Sequence, residues 1–272
     1  MDMSKWIAFV AALPALVNVA VAADLPIRTY TKAPAAAVDP GYNWTGFYVG
    51  LSAGGDWARL DPDYVSSSPA GLPDADEMNF VRSFTNRSMN SVGFVGGGQA
   101  GFNYQMQNLL LGVEADISYT GPRQTRLSGP FGEPACSPAV CTVTQSYSAD
   151  WLATFRGRIG LATGKWLLYA TGGLALADVS YSDVFVFPTS TNLGSTRTAR
   201  AGWTAGVGAE WAFASAWSIK VEYLYADLGT TRYTLTNATF PDATFLVDHK
   251  LTENVGRVGI NYHIGSPVVA RY

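Results

Sequence analysis

The sequence predicts an all-β chain: an eight-stranded antiparallel up-and-down barrel that crosses a membrane, preceded by a signal peptide and a flexible linker. Three observations predict it. Apolar residues recur at every second position in runs longer than globular strands, the connections alternate between tight turns and long polar segments, and tryptophans fall at the ends of runs. Composition agrees. Only 14% of the 272 residues are charged, against roughly 25% in a soluble domain. Lysine is confined to Lys5, Lys32, Lys165, Lys220 and Lys250, too few to solvate a globule of this size. The net charge of −3 excludes the basic stripe that nucleic-acid binding needs, so no nucleic-acid partner is expected. With 2 cysteines and 2 histidines in the chain, no metal cluster or other cofactor is expected.

The elements follow in order. Residues 1–22 read as a secretory signal peptide. Lys5 supplies the positive start, an apolar stretch runs from Trp6 to Val17, and Ala20-Val21-Ala22 is the small-residue cleavage site. Residues 23–43 carry Pro26, Pro34 and Pro40, an alanine run and no period, which marks a periplasmic linker. Eight alternating runs come next, at about 44–57, 90–104, 109–120, 147–162, 166–178, 200–212, 217–228 and 252–264. The run from Trp203 shows the pattern: Trp203, Ala205, Val207, Ala209 and Trp211 alternate with Thr204, Gly206, Gly208 and Glu210. A helix cannot place such a set on one face, whereas a strand does so automatically. A tilted strand needs about 9–11 residues to cross a bilayer, and each run is that long.

Tight turns are expected at 105–108, 163–165 and 213–216, and long polar loops near 58–89, 121–146, 179–199 and 229–251. Short turns at one end and long loops at the other are the layout of a transmembrane barrel. The β-rich patches at 184–187 and 244–247 read as strand extensions, with an extra strand pair, making ten, as the alternative.

Trp44, Trp166, Trp211 and Trp217 fall at the turn side and Trp57, Trp151 and Trp203 at the loop side, which reads as two aromatic girdles at the headgroup boundaries. The apolar faces then look outward into lipid. The inward faces collect Glu114, Asp116, Glu210 and Glu222 against Arg156, Arg158, Lys220 and Arg257. Eight strands leave a lumen that side chains roughly fill, so the expected state is a salt-bridged plug. A narrow selective ion path is the alternative.

Cys136 and Cys141 lie in the second long loop and, in an exported chain, are expected to form a disulfide that staples it. Asp248-His249 is weighed as an acid–base pair. Neighbours on a strand point to opposite faces and no serine motif accompanies them, so no enzyme activity is expected.

Tyr42-Asn43-Trp44-Thr45-Gly46-Phe47-Tyr48-Val49-Gly50 and Gly96-Gly97-Gly98-Gln99-Ala100-Gly101-Phe102-Asn103-Tyr104 resemble the alphaproteobacterial outer-membrane β-barrel family. Its members are often called porin-family or outer-membrane immunogenic proteins. Leu168-Tyr169-Ala170-Thr171-Gly172-Gly173, Lys220-Val221-Glu222-Tyr223 and Val255-Gly256-Arg257-Val258-Gly259-Ile260-Asn261-Tyr262 extend the likeness to about residue 264. The resemblance implies a barrel like that of outer-membrane protein A, a Gram-negative outer-membrane location, and an envelope structural and surface-antigen role. It implies outer-membrane lipid, lipopolysaccharide and the barrel-insertion machinery as partners. Peptidoglycan joins them if the mature start, Ala23-Asp24, is joined to the cell wall through its α-amino group. The alternatives are a narrow porin for small solutes or ions, and haem or host-factor binding by the loops. The chain departs from the family's usual terminal aromatic: Tyr262-His263-Ile264 is followed by a tail at 265–272. Gly265 and Pro267 break the strand, so the insertion signal is expected to be internal, with Tyr272 serving as the terminal aromatic out of the usual register as the alternative.

Overall fold

A chain whose apolar residues repeat every second position must pair its backbone groups between strands, and in lipid only a closed ring leaves none unpaired. The computed structural model describes residues 42–66, 79, 82–131, 140–188, 190–237 and 244–264. The expected signal peptide, most of the linker with Ala23 and Asp24, Cys136, and the 265–272 tail lie outside these residues.

Nine strands are formed among the described residues: β1 (Gly46–Ser66), β2 (Met89–Met106), β3 (Leu109–Thr120), β4 (Arg123–Phe131), β5 (Cys141–Thr163), β6 (Trp166–Val186), β7 (Thr191–Ala212), β8 (Trp217–Asn237) and β9 (Phe245–Ile264). Every neighbour is antiparallel. β1 pairs with both β2 and β9, and β3 closes the ring on β5. β3 and β4 lie end to end along β5: residues 109–119 oppose 161–151, and residues 123–131 oppose 148–141. They form one stave, so the ring has eight. The stave is interrupted where Pro122 has no N–H to give. There Gly121 donates to the Phe94 carbonyl at 3.0 Å, the Pro122 carbonyl accepts from Ala149 at 3.2 Å, and the β5–β6 register shifts between Ala149 and Trp151.

Two expectations about the connections need correction. The ten-stranded alternative does not hold: residues 184–186 end β6, and residues 245–247 begin β9. The long polar loops are much shorter than expected, because the strands run far past the girdle. β5 has 23 residues, about 78 Å at the strand rise and about 55 Å after a tilt of about 45°. An apolar band of about 25 Å takes up less than half of that.

The physical reason is an inversion of pattern. In the lower part of β6, Leu168, Leu174 and Leu176 are exposed on the outer face; above them it is the inward residues Val179, Tyr181 and Phe185 that are apolar and buried. β9 repeats this, with Val258 and Ile260 outward, then Val255, Leu251 and Val247 inward. Below the change the wall is solvated by lipid. Above it the wall stands in water around a core of its own, as in a soluble barrel.

The interior is therefore layered. Trp44, Leu110, Ala162, Leu167, Tyr169 and Ala212 pack at the turn end. A charged layer follows. Next comes an apolar layer that includes Leu60, Val95, Leu152, Val179, Leu228 and Val255. Tyr64, Val143, Phe185, Leu235, Phe245 and Val247 fill the outer end.

Trp57, Trp166, Trp203, Trp211 and Trp217 are exposed on the lipid face, and Trp151 is half-buried there. Trp44 is a correction to the girdle. It precedes β1, where the chain crosses the turn-side opening, and its ring is wholly buried against Tyr42 and His263, with centroids 4.7 and 5.5 Å away.

Candidate functional site: the charged layer of the lumen

All eight charged residues expected in the lumen point inward and are buried. They form a single network. Arg156, on β5, reaches Glu114 at 2.5 Å and Asp116 at 2.8 Å on β3, and Glu222 at 3.1 Å on β8. Arg257, on β9, bridges Asp116 at 2.9 Å and Glu222 at 2.6 Å. Lys220 holds Glu114 at 3.0 Å. Arg158 reaches Glu210 on β7 at 3.5 Å and Glu114 at 3.6 Å, and its Nε donates to Asn103 on β2 at 2.8 Å. Four acids face four bases, so the layer is neutral.

Neutral partners complete it. Tyr48, on β1, donates to Glu114 at 2.7 Å, and Tyr169, on β6, donates to Glu222 at 2.9 Å. The Arg158 guanidinium lies between those two rings, 4.6 Å from the Tyr48 centroid and 5.1 Å from that of Tyr169. A weakly hydrated planar cation gains most from such faces when desolvated. The rings fit because Gly101 faces Tyr48 and Gly208 faces Tyr169: a β-carbon at either glycine would collide with the phenol. Glu210 accepts from Ser218 at 2.5 Å and Asn261 at 2.7 Å, and His263 lies 3.4 Å from it.

Each stave thus supplies at least one side chain to the layer. Tyr48, Asn103 and Tyr169 were absent from the sequence-based set although their inward parity was readable. Uncharged residues gave no reason to single them out.

A second buried cluster lies in the part of the barrel beyond the lipid band. His249 pairs with Asp183, 2.9 Å away, while its neighbour Asp248 lies on the outer face with Arg232, at 2.6 Å. The adjacent Asp-His pair weighed from sequence is therefore split across the wall. Asp183 also accepts from Tyr64 at 2.9 Å and Tyr233 at 2.7 Å. Burial, reinforced by the Asp183 carboxylate, pushes both phenols well above their ordinary range and keeps them as donors. His249 is wholly buried, and its ring stacks between Tyr181 and Tyr233 at 4.8 and 5.5 Å. Asp183 escaped the sequence reading because it meets His249 across the lumen, 66 residues away. Cys141 begins β5 and is buried; its expected partner Cys136 lies outside the described residues.

The model of the outer membrane protein beta-barrel domain matches residues 28–266. The 31 kDa outer-membrane immunogenic protein of Brucella melitensis is 33% identical over 256 residues, covering 89% of this chain and 92% of that protein. The 22 kDa outer membrane protein of Rhizobium leguminosarum bv. viciae is 28% identical over 205 residues, covering 75% of this chain and 74% of its own. Among solved structures, the outer membrane protease OmpT of Escherichia coli is matched at a TM-score of 0.44 and 9% identity, over 82% of this chain and 98% of that one. By its family match and its close relatives, the chain belongs to the alphaproteobacterial outer-membrane β-barrel family, and its place is the bacterial outer membrane.

Proposed function

We propose that the protein is a non-enzymatic, non-conducting envelope barrel that displays its outer wall and loops at the cell surface as an antigen. The observation that carries this reading is the neutral charged layer, in which side chains from all eight staves meet across the lumen. A permeating ion would have to break buried pairs that are costly to separate. The relatives from Brucella are named outer-membrane immunogenic proteins, which supports the surface role.

Planar-bilayer recording on the refolded mature protein tests the reading. A quiet membrane is expected. Steady single-channel steps that change in selectivity with Arg156→Ala would replace it with the narrow-pore alternative.

The proposal extends to the start of the mature chain. Residues 23–43, at most about 70 Å when extended, are long enough to carry the Ala23 amine from the barrel to the cell wall. Muramidase digestion followed by mass spectrometry is expected to find a peptidoglycan fragment on the N-terminal peptide. A free amine alone would remove the tether and leave the barrel reading intact.

A further inference from the structure

Just above the charged layer the lumen holds two more acids that no cation among the described residues pairs with. Asp56, on β1, and Glu253, on β9, are both wholly buried. Asp56 opposes Val255 and Ala58 opposes Glu253, so the two side chains enter the lumen from adjoining strands at diagonal positions, within the reach of long side chains. All four carboxylate oxygens lack a hydrogen-bond partner among the described residues. Arg257, the next cation along β9, is already turned to Asp116 and Glu222.

The surroundings are apolar walls with hydroxyls set into them. Ala58, Leu60, Leu251 and Val255 belong to the same buried cluster as Tyr147 and Tyr181. The Tyr147 hydroxyl donates to Ser91 at 2.7 Å; burial pushes its phenol up to about 12, and the charges of Glu253 and Asp56 add to that rise. Tyr181 also feels Glu253. Its hydroxyl and that of Thr231 are buried close to each other. Close above this level the β7–β8 ladder is interrupted between the pairs Trp203–Asp227 and Leu193–Thr236, and the inward Thr196, Thr198 and Arg200 are only half-buried. The wall has a seam there, on the water side.

Two adjacent carboxylates buried among apolar side chains cannot both persist as bare charges. The layer below is balanced four for four, whereas this pair has no base among the described residues. Its donors are all oxygen, the set preferred by hard divalent cations and not by softer metals. We propose that Asp56 and Glu253 form a binding site for a divalent, oxygen-preferring cation of the calcium class, held inside the barrel above the charged layer.

The test uses the mature protein refolded into phosphatidylcholine vesicles and titrated with TbCl3, with luminescence excited through the aromatic residues and displacement by CaCl2. A saturable signal that Ca2+ displaces is expected. The near-isosteric Glu253→Gln and Asp56→Asn should each weaken it about 10-fold or more, because affinity in such sites follows ligand charge. The surface substitution Asp63→Asn should leave it unchanged, and retained heat-modifiability will show that each variant is folded. An equal signal in the wild type and Glu253→Gln, or no saturable signal at all, overturns the proposal. So does a stability that changes with pH but not with Ca2+, which would mean that protons neutralise the pair. If Asp56→Asn does not fold, Glu253→Gln and the Ca2+-dependence of wild-type unfolding decide the matter.

Discussion

Arg156→Met removes the cation at the centre of the lumen while keeping most of its volume. Arg156 is wholly buried and touches Glu114, Asp116 and Glu222. Its loss leaves four acids facing Arg158, Lys220 and Arg257, a net charge of −1 in a buried site. Breaking a buried pair by deleting one partner costs about 3–5 kcal/mol. With a urea dependence of about 2 kcal/mol/M, the midpoint should fall by about 2 M. The assay is urea unfolding of the refolded barrel, followed by tryptophan fluorescence and by heat-modifiable mobility. Arg197→Met provides the contrast: its partner Asp178 is as close, at 2.5 Å, but the arginine is 64% exposed on the outer wall, and no measurable shift is expected there. Restoring neutrality with Arg156→Met combined with Glu222→Gln should recover part of the loss, because neighbours in one network are not additive. If Arg156→Met unfolds at the same urea concentration as Arg197→Met, the charged layer does not hold the staves together as described here.

Three further outcomes are expected. Gly208→Val should abolish the heat-modifiable species in outer-membrane fractions, since any β-carbon there collides with Tyr169, whereas Gly157→Ala should assemble normally because its nearest neighbour would be 3.9 Å away. Hydrogen bonding to Arg232 holds the Asp248 carboxyl below its usual range, so this pair adds stability above the unfolded pKa and loses it as pH falls through the folded one. The stability gap between wild type and Asp248→Asn should therefore be constant from about pH 8 to 5 and close below about pH 4, as read by denaturant titration at each pH. Truncation after Ile264 removes no ladder residue of β9, whose final pair is Ile264 with Phe47; trimmed chains should still reach the membrane as folded barrel, and their absence would assign the insertion signal to the tail.

The staves and the eight lumen charges are legible in the sequence because within lipid one parity is apolar and the other is small or polar. The same rule hides the upper half. Tyr147, Val179, Leu235 and Val247 are apolar on the inward parity, and a reader following the lipid-facing parity stops at the girdle and takes the rest for loop. Ser180, Ser182 and Lys250, on the outward parity there, resemble loop composition for the same reason. Asp56 could have been assigned inward from its place next to Trp57. Its pairing with Glu253, like that of Asp183 with His249, depends on which strands adjoin and how far they are sheared, and neither can be read from local alternation. Trp44 misled because an indole outside the ladder is free to fold across the opening.

The distribution of the charged layer over every stave has a consequence for assembly. Asp116 meets Arg257 only when β9 has come round to the strands that entered first, and Tyr48 reaches Glu114 only when β1 is in its final register. A half-built sheet would present carboxylates and guanidinium groups with no counterparts, so it must stay wet until the last seam forms. Closure then expels water and neutralises the interior in one event. The layer acts as a latch: incomplete or misregistered rings keep an unbalanced, hydrated centre and stay easy to reopen, while the finished ring becomes hard to unfold.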